Sequence, residues 1–353
     1  MVQNTSTETG DLAFSVPVAV VIGFFIGLLI IMTVVGNLIV LFAFVYEKKL
    51  RNFSDYLILN LAVSDVIIGS VSIPFYAPQL LTGRWPFGHT FCLIWLVVDY
   101  LTPAASAINI CVISLDRYIQ VGHPLWSRNH HNRNLLIAFL AAPWLIPALY
   151  FIPAITLWEP TKGRVIPENQ CFLPYNNNIP VLLIGAFIEF LVPFITVTTF
   201  NILVYMNIKR RSKRLEARAN AARLAVAGEQ VTLDGPSNTN ETRNGRSDAS
   251  HTSRSSFKKD RKAARSLFIF VIIFAVCWMP YEVLATVQTV CGGCVNKHLF
   301  EFVFWMLWLN STVNPFLYPL LHTRYRKAFA KLLHLKSTSV TPAETHHSQG
   351  SGS

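Results

Sequence analysis

Three acids stand inside long apolar runs of this chain: Asp65, Asp99 and Glu189. A carboxylate is costly to hold in a bilayer, so each marks a candidate functional site. Asp99 lies in the stretch from Cys92 to Pro124, which is mostly apolar until the triplet Asp116-Arg117-Tyr118. Asp99 and Arg117 are 117 − 99 = 18 positions apart. On a helix that spacing returns to one face, roughly 27 Å further along. One end can hold a cation from outside while the other faces the cytoplasm. The alternative is an ordinary membrane helix with one paired acid, and the rest of the chain decides between the two.

The elements that must position these acids follow from hydropathy. The chain has 353 residues, of which 52% are hydrophobic and 14% charged, with a mean hydropathy of +0.41. That composition points to a polytopic membrane protein. Seven apolar runs approach the ~20 residues needed to span a bilayer. They are Val16 to Val45, Tyr56 to Leu80, Cys92 to Val121, Leu135 to Leu157, Ile179 to Ile208, Leu267 to Val290, and Phe300 to Leu321. The fold class is therefore an all-α bundle of seven transmembrane helices.

The net charge of +11 comes from bases between these runs. Lys48, Lys49 and Arg51 follow the first, Arg128 and Arg133 the third, Lys209-Arg210-Arg211 the fifth, and Arg324, Arg326 and Lys327 the seventh. This is positive-inside bias rather than a nucleic-acid footprint, and it places the N-terminus outside and the C-terminus inside. The first sixteen residues lack a basic n-region and a small-residue cleavage site, so no cleaved signal peptide is expected. Asn4-Thr5-Ser6 is a glycosylation sequon that suits an extracellular N-terminus, residues 1–15.

The receptor domain is read as residues 16–335. Within it, a polar Gly/Ser/Asn/Arg-rich segment, about 212–257, is expected to be a flexible cytoplasmic loop, and 336–353 a disordered tail. Bases alternate with Tyr325, Phe329, Leu332 and Leu333 near the end, as in a short amphipathic eighth helix on the inner membrane face. Of the six cysteines, Cys111 and Cys277 lie in apolar runs and are expected to be free. Cys92 and Cys171 fall at the oxidising outer face, where a disulfide persists. Cys291-Gly-Gly-Cys294 could be a redox or zinc pair, but a small disulfide fits better because no partner His or Cys pair lies nearby.

The polar punctuation of the runs is the most specific signal. Gly36-Asn37 sits in the first, Asn60-Leu61-Ala62-Val63-Ser64-Asp65 in the second, Trp144 in the fourth and Pro193 in the fifth. Phe274-Ala275-Val276-Cys277-Trp278-Met279-Pro280 lies in the sixth and Asn314-Pro315-Phe316-Leu317-Tyr318 in the seventh. In that order, from Val16 to Phe329, the chain resembles a rhodopsin-type G-protein-coupled receptor of the aminergic branch. Asp99-Tyr100, Glu189-Phe190, Trp308, Asn201 and Asp260-Arg261-Lys262 resemble the inhibitory-G-protein-coupled histamine receptors within it.

The resemblance implies a set of roles. Asp99, Tyr100, Glu189, Trp278, Tyr281 and Trp308 would bind the ligand. Asp65, Ser106, Asn310 and Ser311 would hold an allosteric sodium ion, with no other cofactor expected. Asp116, Arg117, Tyr118, Asp260, Asn314, Pro315 and Tyr318 would form the G-protein coupling and switch region, with Arg117 tied to Asp260 at rest. The expected function is a plasma-membrane receptor for a biogenic amine, histamine first and acetylcholine or another monoamine as alternatives. It would act through a heterotrimeric G protein of the inhibitory class, with arrestin and receptor kinases as further partners, in contact with membrane lipid.

Two residues depart from the pattern. Pro103 should remove the hydrogen bond to the Asp99 carbonyl and bend the helix there. Glu282 adds an acid beside Tyr281 that could meet the ligand instead of Glu189, or face water or the outer loop. A transporter would show internal repeats and broken helices near the midplane. An enzyme is not expected, because the three acids lie in different runs with no nucleophile, metal-ligand or phosphate motif around them.

Overall fold

The computed structural model describes residues 13–230, 268–321 and 323–332. Among the described residues the structure is helical, with no strand. Seven long helices carry the seven apolar runs: α1 Val16–Tyr46, α2 Phe53–Thr82, α3 His89–Gly122, α4 Arg133–Thr156, α5 starting at Ile179, α6 Phe268–Val290 and α7 Lys297–Leu321. A short α8, Thr323–Leu332, comes after them.

The helix starts are set by short polar residues. Asn52 and Asp55 form a reciprocal capping box at α2. The Asn132 side chain accepts from Leu135 N at 2.9 Å at α4, and Asn296 caps α7 by accepting from His298 N at 2.9 Å. Gly83, at φ 71°, lets α2 end in the left-handed conformation that other residues avoid.

Among the described residues, six helices are apolar and long enough to cross a membrane. α7 is less apolar because Asn310, Ser311, Thr312 and Asn314 interrupt it, and all four are buried in the bundle. α3 is the central element and packs against α2, α4 and α5. Asn60 of α2 ties three helices together: it accepts from Trp144 Nε1 of α4 at 2.9 Å and donates to Asn109 Oδ1 of α3 at 3.3 Å. α1 presents Val20, Phe24, Ile31 and Val35 outwards, as a lipid-facing helix would.

Two of the helices contain a π turn. In α2 it spans Ile68–Ser72, and in α5 it spans Phe187–Leu191, between Ile179–Ala186 and Val192–Gln230. The extra residue in such a turn rotates the remainder of the helix and often marks a functional site. α3 continues through Pro103 without ending.

The polar segment expected to be a loop from about residue 212 differs from the structure in its first part. α5 runs on as one helix to Gln230. The Glu216–Gln230 stretch is rich in Ala, with Arg and Glu, which favour helix without needing an apolar face. The remainder, 231–257, lies outside the described residues, as do Asn4, Asp260 and the tail.

One end of the bundle carries two disulfides, Cys92–Cys171 and Cys291–Cys294; the other carries Arg117. Cys111 and Cys277 are free and buried. At the disulfide end, Gln79 holds the loop by donating to Cys171 O and accepting from Cys171 N, both at 2.9 Å. Nearby, His89 Nε2 lies 2.6 Å from Glu159 Oε2. The other oxygen of Glu159 accepts from Val165 N at 2.9 Å and Ile166 N at 2.8 Å.

Candidate ligand cavity and switch region

Asp99 is 5% exposed, Glu189 6% and Glu282 7%. Each has one buried carboxylate oxygen with no hydrogen-bond partner in the protein. Among the described residues no Lys, Arg or His forms an ion pair with any of them. A desolvated, unpaired carboxylate is unfavourable unless something outside the chain completes it.

A cavity of about 1180 Å³ opens at the disulfide end and is lined by Asp99, Tyr100, Tyr76, Trp95, Tyr281 and Trp305 among others. A smaller chamber of about 60 Å³ lies between α5 and α6, lined by Tyr100, Tyr175, Glu189, Tyr281 and Glu282. Tyr100 and Tyr281 line both cavities, as do Leu173, Leu182, Ala285 and Thr289. Glu189 sits within the π turn of α5.

Of the expected ligand-binding residues, Asp99, Tyr100 and Tyr281 face the large cavity, and Tyr100, Tyr281 and Glu189 the small one. Trp278 and Trp308, each 1% exposed, line neither of these two cavities and pack behind them. Trp308 contacts Phe304 at 4.6 Å and Trp305 at 4.9 Å between ring centroids, and Trp278 contacts Phe274 at 5.5 Å. Trp95 is buried: its Nε1 donates to Ser72 O at 3.2 Å, and its ring stacks on Tyr76 at 5.7 Å.

Sequence reasoning passes over Glu301. It lies in the first turn and a half of α7, lines the large cavity and accepts from Tyr76 Oη at 3.0 and 3.1 Å. The signal that could find it is the one that singles out Asp99, an acid beside an apolar run, here Phe300-Glu301-Phe302-Val303-Phe304.

Midway along the bundle, Asp65 is fully buried. Asn314 Nδ2 donates to one carboxylate oxygen at 2.8 Å and Ser106 Oγ to the other at 3.4 Å. Asn310 and Ser311 are buried, and Ser311 is adjacent to Asp65. Asn37 does not meet this acid; it donates to Thr33 O at 2.9 Å and Ser311 O at 3.1 Å. Around Asp65, Ser106 and Ser311 offer hydroxyl oxygens, while Asn314 presents its amide nitrogen.

At the Arg117 end, Asp116 is completely buried. It accepts from Ser54 Oγ at 2.6 Å and Gln120 Nε2 at 2.7 Å, and His131 Nε2 lies 3.3 Å away. Arg117 is half-buried. The residue expected to tie it, Asp260, lies outside the described residues. Tyr118 packs on Phe200 at 5.5 Å, and Tyr318 on Tyr325 of α8 at 5.6 Å. Pro315 abuts Gly36 of α1 so closely that a Cβ there would lie 2.7 Å from its Cγ.

Comparison with known proteins agrees with this architecture. The model of the 7 transmembrane receptor (rhodopsin family) matches residues 36–318. The Homo sapiens histamine H4 receptor is 30% identical, over 95% of this chain and 96% of its own length. Its Rattus norvegicus counterpart is 32% identical, over 94% and 96%. The Rattus norvegicus alpha-1A adrenergic receptor is 30% identical, over 93% of this chain and 71% of its own. With seven long helices, a buried acid on each of α2, α3 and α5, and a family match over most of its length, this chain belongs to the rhodopsin family of seven-transmembrane receptors.

Proposed function

We propose that this chain is a plasma-membrane receptor, N-terminus and disulfide end outside, that binds an extracellular amine and activates a cytoplasmic heterotrimeric G protein of the inhibitory class. The observation that carries the reading is Asp99: a buried carboxylate with no cation of its own, in a cavity at the disulfide end beside Tyr100 and Tyr281. An ammonium there gains from the carboxylate and from aromatic faces together. The relatives are receptors named for histamine and for adrenergic ligands.

Histamine is the favoured amine. Asp99 would take its ammonium, and Glu189 would accept from its imidazole. A catecholamine would want hydroxyls on α5, where this chain has Gly185 and Ala186. Acetylcholine would suit the aromatic walls but would leave Glu189 without a partner. Signalling follows population shift: the agonist favours an arrangement in which the Arg117 end opens for the G protein. Asp65, Ser106, Asn310 and Ser311 would hold the sodium ion that favours the resting arrangement. Arrestin and receptor kinases would act on the same inner surface.

A panel of biogenic amines, read as nucleotide exchange on a G protein, tests the reading. Asp99→Asn should abolish binding of each amine, since removing one partner of a buried charged pair costs about 2–5 kcal/mol. Full amine potency in Asp99→Asn would end the amine reading. Glu189→Gln should weaken histamine more than amines with an apolar second end.

A further inference from the structure

We propose that Glu189 and Glu282 together receive a second positive charge, so that the site prefers amines with two cationic ends over amines with one. This rests on the amine reading above and specifies the charge class of the ligand.

The observations concern the small chamber. Glu189, from the π turn of α5, and Glu282, from α6, both line one small space. Both are more than nine-tenths buried, and each keeps an oxygen without a protein partner. Among the described residues no base neutralises either.

Two carboxylates in a dry site repel, and the repulsion grows as the local dielectric falls. A neutral hydrogen-bonding group could satisfy one of them and would leave the other unpaired. A compact cation between them satisfies both and removes the repulsion. An apolar tail in that position would leave both acids desolvated without partners, which a site rejects strongly.

Space sets the rest. The chamber is about 60 Å³, room for a small charged head but not a bulky one, given that one water needs roughly 10–15 Å³ on the same scale. Tyr100 and Tyr281 border both chambers. The ligand would therefore reach from an ammonium at Asp99 past these shared walls to a second cation at Glu189 and Glu282. Straight-chain diamines have this shape, and so does histamine when its imidazole takes up a proton.

The test is competition binding on the full-length receptor in membranes, with putrescine, cadaverine, histamine and phenethylamine as probes. Surface expression is measured in parallel. The wild type should bind at least one diamine about tenfold or more tightly than phenethylamine, and Glu282→Gln should lose about tenfold for that diamine while changing phenethylamine less than about threefold. Glu282→Asp, which keeps the charge, should retain the diamine preference.

Equal diamine affinity in wild type and Glu282→Gln overturns the proposal. Should Glu282→Gln fail to reach the surface, the wild-type diamine preference and its persistence in Glu282→Asp decide, and a preference below about threefold overturns it. If phenethylamine and histamine bind but the diamines do not, the two-charge preference alone fails. If no amine binds at all, the underlying amine reading fails with it.

Discussion

Glu159 shows how a single acid can hold a loop. Burial alone would raise its pKa, but the N–H groups of Ile166 and Val165, with His89, outweigh that and hold it below its ordinary 4.5. A group whose pKa is lower folded than unfolded contributes stability above the unfolded value and loses it as pH falls through the folded one. Thermal unfolding of the purified receptor should therefore be insensitive to this group near neutrality and should lose stability below about pH 4.5. Glu159→Gln should flatten that acid limb; an unchanged limb would remove Glu159 from the account. Acids of this kind are legible in sequence only when they stand in apolar runs. Asp65, Asp99 and Glu189 do. Glu159 sits in the short helix Trp158–Lys162 between two runs, and Glu301 at the edge of a run, where an acid is commonplace, so their partners emerge only from the fold.

At the scale of helices, hydropathy locates all seven spans but not the details that aim their side chains. Neither π turn has a distinctive composition, yet the one in α5 carries Glu189. The continuation of α5 to Gln230 is hidden when composition is weighed as polarity rather than as helix propensity. The contact of α1 with α7 is also a matter of geometry. Gly36 faces Pro315, and a methyl group would meet the rigid ring at 2.7 Å. Gly36→Ala should therefore lower thermal stability by about 1–3 kcal/mol, the usual range for overpacking. A thermal shift assay showing no loss would mean that α1 and α7 separate more freely than this contact implies. The Cys92–Cys171 bridge spans a sequence separation of 79 residues. A loop of that length implies a contribution of about 4 kcal/mol from closure. Cys171→Ser should expose a free Cys92 thiol to mass spectrometry and sharply reduce the folded fraction, although Gln79 still grips the loop backbone.

Across the whole molecule, coupling between the two ends is a difference in free energy between two arrangements, and it must be reciprocal. Asp116 is expected to help hold the resting one. It binds Ser54 of α2 and Gln120 of α3, and faces His131 between α3 and α4, so one carboxylate joins the base of α3 to two neighbouring segments. Asp116→Asn keeps the shape but removes the charge that these partners were arranged around. If those contacts favour the resting arrangement by about 1.4 kcal/mol more than the active one, their loss shifts the equilibrium about tenfold toward activity. Agonist-free nucleotide exchange should then rise several-fold. By linkage, agonist affinity should rise with it, while a ligand that binds both arrangements equally should be unaffected. The two measurements are made on the same membranes. Raised basal exchange without raised agonist affinity would place Asp116 in the G-protein contact itself. No change in either would show that the base of α3 is held equally in both arrangements.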